Sequence, residues 1–489
     1  MRILIFATLL AAVAAQAQPR PVAKPAATPA CRIAFQVKPF KNQWLYLACY
    51  YGSIKTLVDS VRLDANSNGL LQRTKPLEPG VYIVASPSKS ILFEMLVDKD
   101  QQFSVLADSV RIDQSLRFDG SADNTRFLAY TRYVSPRAGR ADSLQQVLPS
   151  LDPAAREAAT DRIRQLNGEI LTYRRNLAKA YPGSMLALLF NAMEEVPLPP
   201  ALRQPQNRAD TIAQYRFGKD HYWDNIDFMD GRFVRTPIFE PRLSAYLENW
   251  VAPDADSVIY EYNWMMALGR NDPEMQRYLI SYFVDHYMYP KLMGQDKVFL
   301  HVYETQLSGE KKVDWLSEKQ MKIIRDRAYM LMANQLGAKA WDMELVDTAN
   351  QVKTLYQEQG AFTVVLFWDV HCGKCREEMP KLDTLYNTSW KNLGVKMYAV
   401  MVNESSLNDW PGFINQWGKG WTHVHQPAAM REAEDKAGKP NFRQLYDMRS
   451  TPTFFLLDAD KKIIAKNLTL TDLDKLILLK SGTKPASVP

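Results

Sequence analysis

Two cysteines stand one helical turn apart in the run Trp368-Asp369-Val370-His371-Cys372-Gly373-Lys374-Cys375-Arg376-Glu377-Glu378-Met379-Pro380. Thiols at this spacing can exchange a disulfide with another molecule, or supply half of a zinc site. Zinc needs two more ligands close by, and only His371, His423 and His425 offer themselves, so the dithiol reading is preferred and no metal or other cofactor is expected. The preceding run, Phe362 to Trp368, is apolar without alternation, as in a strand buried on both faces of a sheet. After Cys375 the spacing of Leu382 and Leu385 is helical, which puts Cys372 at a strand-to-helix junction, its sulfur near unpaired backbone N–H groups. That position favours a thiolate, and Lys374 adds a positive charge beside it. His371 would do likewise when protonated; a solvent-facing loop residue without a role is its competing reading.

The elements around this run alternate. Val395 to Val402 reads as a strand, Asn408 to Trp417 as a helix, Phe454 to Leu457 as a strand entered through Thr451-Pro452-Thr453, Lys461 to Ala465 as its hairpin partner, and Leu473 to Leu479 as a closing helix. This α/β domain is expected over residues 340–480, with a tail at 481–489.

The chain has 489 residues, 46% apolar and 23% charged, which implies several domains. Its 60 basic and 54 acidic residues show no basic run or aromatic interleaving that would suit a nucleic acid. Arg2, the apolar run Ile3 to Ala15 and the small residues of Ala15-Gln16-Ala17 read as a cleavable signal peptide over residues 1–17, too short to span a bilayer. Residues 18–30, rich in Pro and Ala, read as a flexible lead-in. The expected location is therefore the periplasm of the cell envelope, with no stable membrane span.

Residues 31–121 carry short alternating runs and turn signals, among them Asn68-Gly69 and Pro79-Gly80, and are expected to form an antiparallel β-sandwich. Cys31, Ile33, Phe35 and Val37 share one strand face, and Leu45, Leu47 and Cys49 share a face of the next. A hairpin turning near Pro39 to Asn42 would bring Cys31 and Cys49 within bridging distance, making them a candidate structural disulfide; two buried thiols that never meet is the alternative. Residues 122–339 are expected to be all-α. Asp152-Pro153 and Asp272-Pro273 are helix starts, and Ser317 with Gln320 forms a capping box for a helix that Gly337 would close. Tyr262, Trp264, Met265 and Met266 read as core. The stretch His221 to Phe239 interleaves aromatic and acidic residues; buried aromatics capped by Asp224 and Asp227 are preferred to a binding surface built on Tyr222 and Trp223.

Strand, Cys-x-x-Cys at a helix start and a distant Thr-Pro-Thr before a strand together resemble the thioredoxin fold. Cys372-x-x-Cys375-x-x-Glu378-x-Pro380 is similar to the Cys-x-x-Cys-x-x-Glu-x-Pro pattern of periplasmic thioredoxin-like thiol-disulfide oxidoreductases of the cytochrome-maturation type. The resemblance covers roughly the last 140 residues. A β-domain, a helical domain of unassigned role and a thioredoxin-like domain behind a signal peptide also resemble a group of Gram-negative envelope proteins.

The resemblance implies roles. Cys372 would attack a partner's disulfide and Cys375 would resolve the mixed disulfide, with Gly373 and Lys374 between them and Trp368 ending the strand before them. Pro452 would be the cis-proline facing the pair, leaving the Thr451 backbone free to pair with an extended substrate. Glu378 would move the proton of Cys375, an ordinary helix carboxylate being its other reading. Leu366 stands where many thioredoxins carry a buried Asp, and His371 where Trp is common. Protein disulfides would be the substrates, reduced with electrons from a membrane donor. The alternative is an envelope binding or scaffold protein whose thioredoxin-like domain is a docking module.

Overall fold

The computed structural model describes residues 29–309 and 313–482. The expected signal peptide, most of the lead-in and the last residues of the tail lie outside them. The chain divides into two compact units, residues 1–191 and 192–489.

The first unit opens with β1 (Cys31–Lys38), β2 (Trp44–Tyr51), β3 (Ile54–Arg62), β4 (Asn68–Arg73), β5 (Gly80–Ala85), β6 (Ile91–Val97), β7 (Gln102–Asp108), the short α1 (Ile112–Ser115) and β8 (Arg117–Asp119). Two four-stranded sheets form, ordered β4-β1-β7-β8 and β3-β2-β5-β6. Ladders are antiparallel except for β1 with β7, which run parallel. Alternation along β1 and β2 sends Ile33, Phe35, Val37, Leu45 and Leu47 into one shared core, closed by Phe93 packed edge-on to Phe118.

This arrangement corrects the hairpin on which the disulfide expectation rested. β1 and β2 do not form a hairpin; the chain crosses from one sheet to the other between them. Cys31 lies opposite Arg73, whereas Cys49 lies opposite Thr56 and Tyr82. No disulfide joins the two, and burial pushes the Cys31 thiol up. The Asn68-Gly69 turn is also displaced. The reversal is made at residues 64–67, where Asp64 Oδ1 accepts from the N–H groups of Asn66 and Asn68 and Ser67 takes φ +65°. Gly69 is instead a strand residue pressed on β3, where an added Cβ would lie 2.5 Å from Val61 Cγ1.

Helices α2 (Ala122–Val147) and α3 (Pro153–Ala180) follow in the first unit, and α4 (Met185–Ala192) reaches the division. Asp152 caps α3 by accepting from the Ala155 N–H, with Pro153 at the first turn. The second unit begins with α5 (Arg208–Asp220), α6 (Phe239–Asn249), α7 (Ala255–Leu268), α8 (Pro273–Tyr287), α9 (Asp296–Val302) and α10 (Glu318–Met332). The expected helical region is thus shared between the units. Trp223, Ile226 and Phe228 are buried in an aromatic cluster with Phe239 and Tyr246. In α7, Tyr262 and Met265 are fully buried, but Trp264 points off that face and is 37% exposed. The Ser317–Gln320 capping box forms; α10 stops at Met332, and Gly337 begins the next segment by donating to the Ile463 carbonyl.

The rest of the second unit is β9 (Glu344–Val346), β10 (Val352–Thr354), β11 (Phe362–Trp368), α11 (Gly373–Leu385), β12 (Val395–Met401), α12 (Trp410–Gln416), β13 (Thr422–His425), α13 (Ala428–Lys436), α14 (Phe442–Leu445), β14 (Thr453–Asp458), β15 (Ile463–Lys466) and α15 (Leu470–Lys480). Its seven-stranded sheet is ordered β10-β9-β13-β12-β11-β14-β15. β11 lies near the middle, parallel to β12 and antiparallel to β14, with one core on each face. The whole molecule therefore combines a sheet-rich amino-terminal part, a helical middle and an α/β carboxy-terminal domain of thioredoxin type. No helix among the described residues is long and apolar enough to cross a membrane.

The position of Gly69 can be checked by Gly69→Ala. A methyl group pressed on Val61 and Leu63 should lower stability by about 1–3 kcal/mol in chemical denaturation. An unchanged midpoint would mean that the β3–β4 contact is looser than described.

Candidate functional site: a dithiol at the start of a helix

β11 is fully buried from Val364 to Trp368, and the chain then needs four residues to reach Gly373, the first of α11. Cys372 is the N-cap. Its Sγ lies 3.4 Å from the Cys375 N–H, one of the donors that a helix start leaves without a carbonyl. On its other side the Cys372 thiol donates to the Thr451 carbonyl at 3.2 Å, so the expected cis Thr451–Pro452 peptide lies against the cysteine pair. Gly373 is exposed, and a Cβ there would meet nothing within 4 Å, which leaves the approach to Cys372 open.

The two thiols differ in surroundings. Burial works against ionisation of Cys372, but hydrogen bonding from the Thr451 side chain and from the N–H groups of Cys375 and Lys374 outweighs it and holds the thiol below the usual cysteine range. Lys374 thus acts through its backbone N–H, where its side-chain charge was the expected cause. Cys375, one turn into α11, is fully buried; desolvation pushes it up to about 12, against a hydrogen bond from the Asp369 backbone.

Asp369 had no assigned role, yet it braces the junction. Its carbonyl accepts from the Cys372 N–H at 3.2 Å, and its N–H faces Cys375. Its carboxylate accepts from the His371 N–H at 3.0 Å, Asn403 Nδ2 at 3.0 Å and Ser406 Oγ at 2.8 Å. Burial opposes its charge, and these donors together with His371 hold its carboxyl below the usual range. Asn403 and Ser406 follow β12, whose carboxyl end emerges beside that of β11 because the two strands are parallel. A polar run directly after the apolar strand Val395 to Val402 was the available signal.

The remaining candidates are spread around this centre. His371 sends Nε2 to Asp409 Oδ2 at 2.8 Å and Nδ1 to Ser406 Oγ at 3.3 Å, and neither nitrogen bonds a sulfur. Trp368 is wholly buried, with its ring against Phe413 and His423. Glu378, three residues beyond Cys375, is half-buried and faces Lys381 Nζ at 3.8 Å; no hydrogen bond joins its carboxylate to either thiol. His423 bonds the Gly418 carbonyl at 2.9 Å, and burial pushes it down to about 4. Cys31 and Cys49 belong to the first unit's core.

The asymmetry predicts that, in the reduced protein, iodoacetamide labels Cys372 with a midpoint below the ~8.5 of a free cysteine. Cys375 should stay unlabelled until well above it. Equal rates for both thiols would contradict the geometry. Asp369 predicts a second pH effect. A carboxyl depressed in the folded protein contributes its full stability above the unfolded value of ~3.9 and loses it as pH falls through the folded value. Asp369→Ala should therefore destabilise the protein at neutral pH and flatten the acid limb of its stability curve. An unaltered acid limb would show the carboxylate to be unimportant.

The chain is similar to known proteins over this region. A family profile described as Redoxin matches residues 335–472, and one described as Domain of unknown function (DUF5106) matches residues 161–334. The chain is 27% identical over 130 residues to the thiol-disulfide oxidoreductase ResA of Bacillus thuringiensis (strain Al Hakam), covering 27% of this chain and 68% of that protein. It is 29% identical over 141 residues to ResA of Geobacillus thermodenitrificans (strain NG80-2), covering 28% and 74%. A thioredoxin-like protein from Bacteroides caccae ATCC 43185, of known crystal structure, aligns with 59% of this chain and 98% of its own at 18% identity and a TM-score of 0.44. The carboxy-terminal domain of this chain belongs to the thioredoxin-like thiol-disulfide oxidoreductase family.

Proposed function

We propose that the chain is a thiol-disulfide oxidoreductase that reduces protein disulfides in the periplasm. The observation that carries this reading is the inequality of the two thiols, one activated at a helix start and the other buried behind it. The Cys372 thiolate attacks one sulfur of a substrate disulfide; the substrate S–S bond breaks, a Cys372–substrate disulfide forms, and the other substrate sulfur leaves as a thiolate that takes up a proton. Cys375 then loses its proton and attacks Cys372 Sγ, closing the Cys372–Cys375 disulfide and releasing the second substrate thiol. Two electrons pass to the substrate, and a membrane-bound dithiol donor restores the pair.

Pro452 and the Thr451 backbone form the wall against which an extended substrate segment lies, with Gly373 leaving room above Cys372. Glu378 is the proton acceptor for Cys375, reached by rotation of its side chain away from Lys381. The Ala15-Gln16-Ala17 cleavage signal supports export, and the ResA relatives support the reaction class.

Insulin reduction by the full chain tests the reading. Wild-type protein should reduce insulin, Cys372→Ser should abolish the activity, and Cys375→Ser should accumulate mixed disulfides that dithiothreitol releases. Glu378→Gln, with both cysteines present, should slow release of the mixed disulfide by Cys375 without lowering the melting temperature. A wild-type protein with no activity toward insulin or other protein disulfides, and no trapped partner in the Cys375→Ser variant, would favour a docking role.

A further inference from the structure

The loop that carries Thr451 and Pro452 is held from outside the α/β domain. α10 turns Ile324, Arg327, Ala328 and Leu331 inward. Arg327 forms an ion pair with Asp447, 120 residues away, and each side chain keeps only 5% of its exposure. Arg327 Nε also donates to the Met288 carbonyl at 3.0 Å. Arg449 Nε lies 3.5 Å from the other carboxylate oxygen of Asp447, and the two guanidinium groups sit 4.6 and 4.8 Å from the ring centre of Tyr289. Just beyond α10, Asn334 Nδ2 donates to the Leu445 carbonyl at 3.1 Å. Residues 445–449 are therefore attached to the helical segment at several points. Thr451, whose carbonyl takes the Cys372 thiol, is two residues further on.

Two details indicate that this attachment sets geometry rather than merely adding adhesion. Drying a pair of charges offsets much of their attraction, so a buried pair is better suited to selecting one arrangement than to adding stability. Asp447 also closes α14, holding φ +46° with its N–H on the Gln444 carbonyl and the Met448 N–H on that of Arg443, so the ion pair grips the loop where its backbone turns. A second buried pair provides a comparison. Lys466 Nζ, on β15, bonds Asp296 Oδ2 at 2.7 Å and both oxygens of Asn334. It joins the same helical segment to the sheet and reaches the loop only indirectly, through Asn334, which also holds the Leu445 carbonyl.

We propose that Arg327 is a positioning residue for the redox site, holding Asp447 so that the Thr451 carbonyl and Pro452 stay against Cys372. The helical segment, which matches a family of unknown function, would thereby shape the wall that receives the substrate polypeptide. The inference rests on the oxidoreductase reading for its consequence in turnover, but its structural part can be tested without turnover.

The test compares Arg327→Gln, Asp447→Asn and Lys466→Met in the full chain, each checked for folding by circular dichroism. The first readout is the pH midpoint of iodoacetamide labelling of Cys372. Displacing Thr451 changes what the sulfur bonds, the thiol losing the Thr451 carbonyl and the thiolate losing the Thr451 side chain, so the midpoint should shift by about half a unit or more in the Arg327 and Asp447 variants and move less in Lys466→Met. The second readout is insulin reduction, where kcat/KM should fall about tenfold in the same two variants. Reaction of Cys372 with a small disulfide, which needs no peptide wall, should change much less. If Arg327→Gln fails to fold, Arg327→Lys, which keeps the charge but not the fork reaching Met288, carries the same comparison. An unshifted labelling midpoint in a folded Arg327 variant would overturn the proposal, and so would an equal shift in Lys466→Met. Wild-type protein inactive on insulin but with shifted midpoints in these variants would sink the reductase reading alone.

Discussion

The N–H groups at the start of α11 have no carbonyl to bond, and Cys372 supplies the sulfur that takes one of them. A negative charge at such a position gains from the donors and from the helix dipole, the latter worth ~0.3–1 kcal/mol at an exposed site. The gain depends on the sulfur being held within reach of those donors. β11 does this from below: it is dry on both faces and paired along its length with β12 and β14, so its end at Trp368 cannot drift.

The same helix makes the second thiol different. One turn further on, Cys375 faces the core with Met379 and Leu382, and burial suppresses its charge. Two equally reactive thiols would give disulfide exchange no order. In the proposed mechanism the more accessible sulfur attacks first, and the buried one becomes competent only when a mixed disulfide has placed an electrophile beside it.

Carboxylates fix the loops around the pair. Asp369 gathers three donors and ties the β11–α11 turn to the segment after β12. Asp447 ties the approach to Thr451 to α10. Asp296 ties β15 to the helices. Each is held by polar partners, as buried charge requires, and each joins segments distant in the chain. The redox site is thus a short local motif whose walls depend on long-range polar contacts.

Much of the site was legible from local signals. The Cys-x-x-Cys run, the apolar strand before it, the Thr451-Pro452 dipeptide and the caps at Asp152, Asp272 and Ser317 all answer to what the backbone needs within a few residues, so type and spacing sufficed. Other features arise only when distant segments meet. β3 leaves little trace in the sequence because most of its residues face solvent and its alternation is weak. Cys31 and Cys49 were placed on a hairpin because adjacent strands often pair, but packing sent their strands to opposite sheets. Asp369 and Arg327 look like ordinary polar residues until Asn403, Ser406 and Asp447 are brought beside them. The sequence by itself determined the dithiol spacing and the helix start at which Cys372 sits. Tertiary structure decided what holds them, because a buried charge is tolerable only next to partners that may lie a hundred residues away.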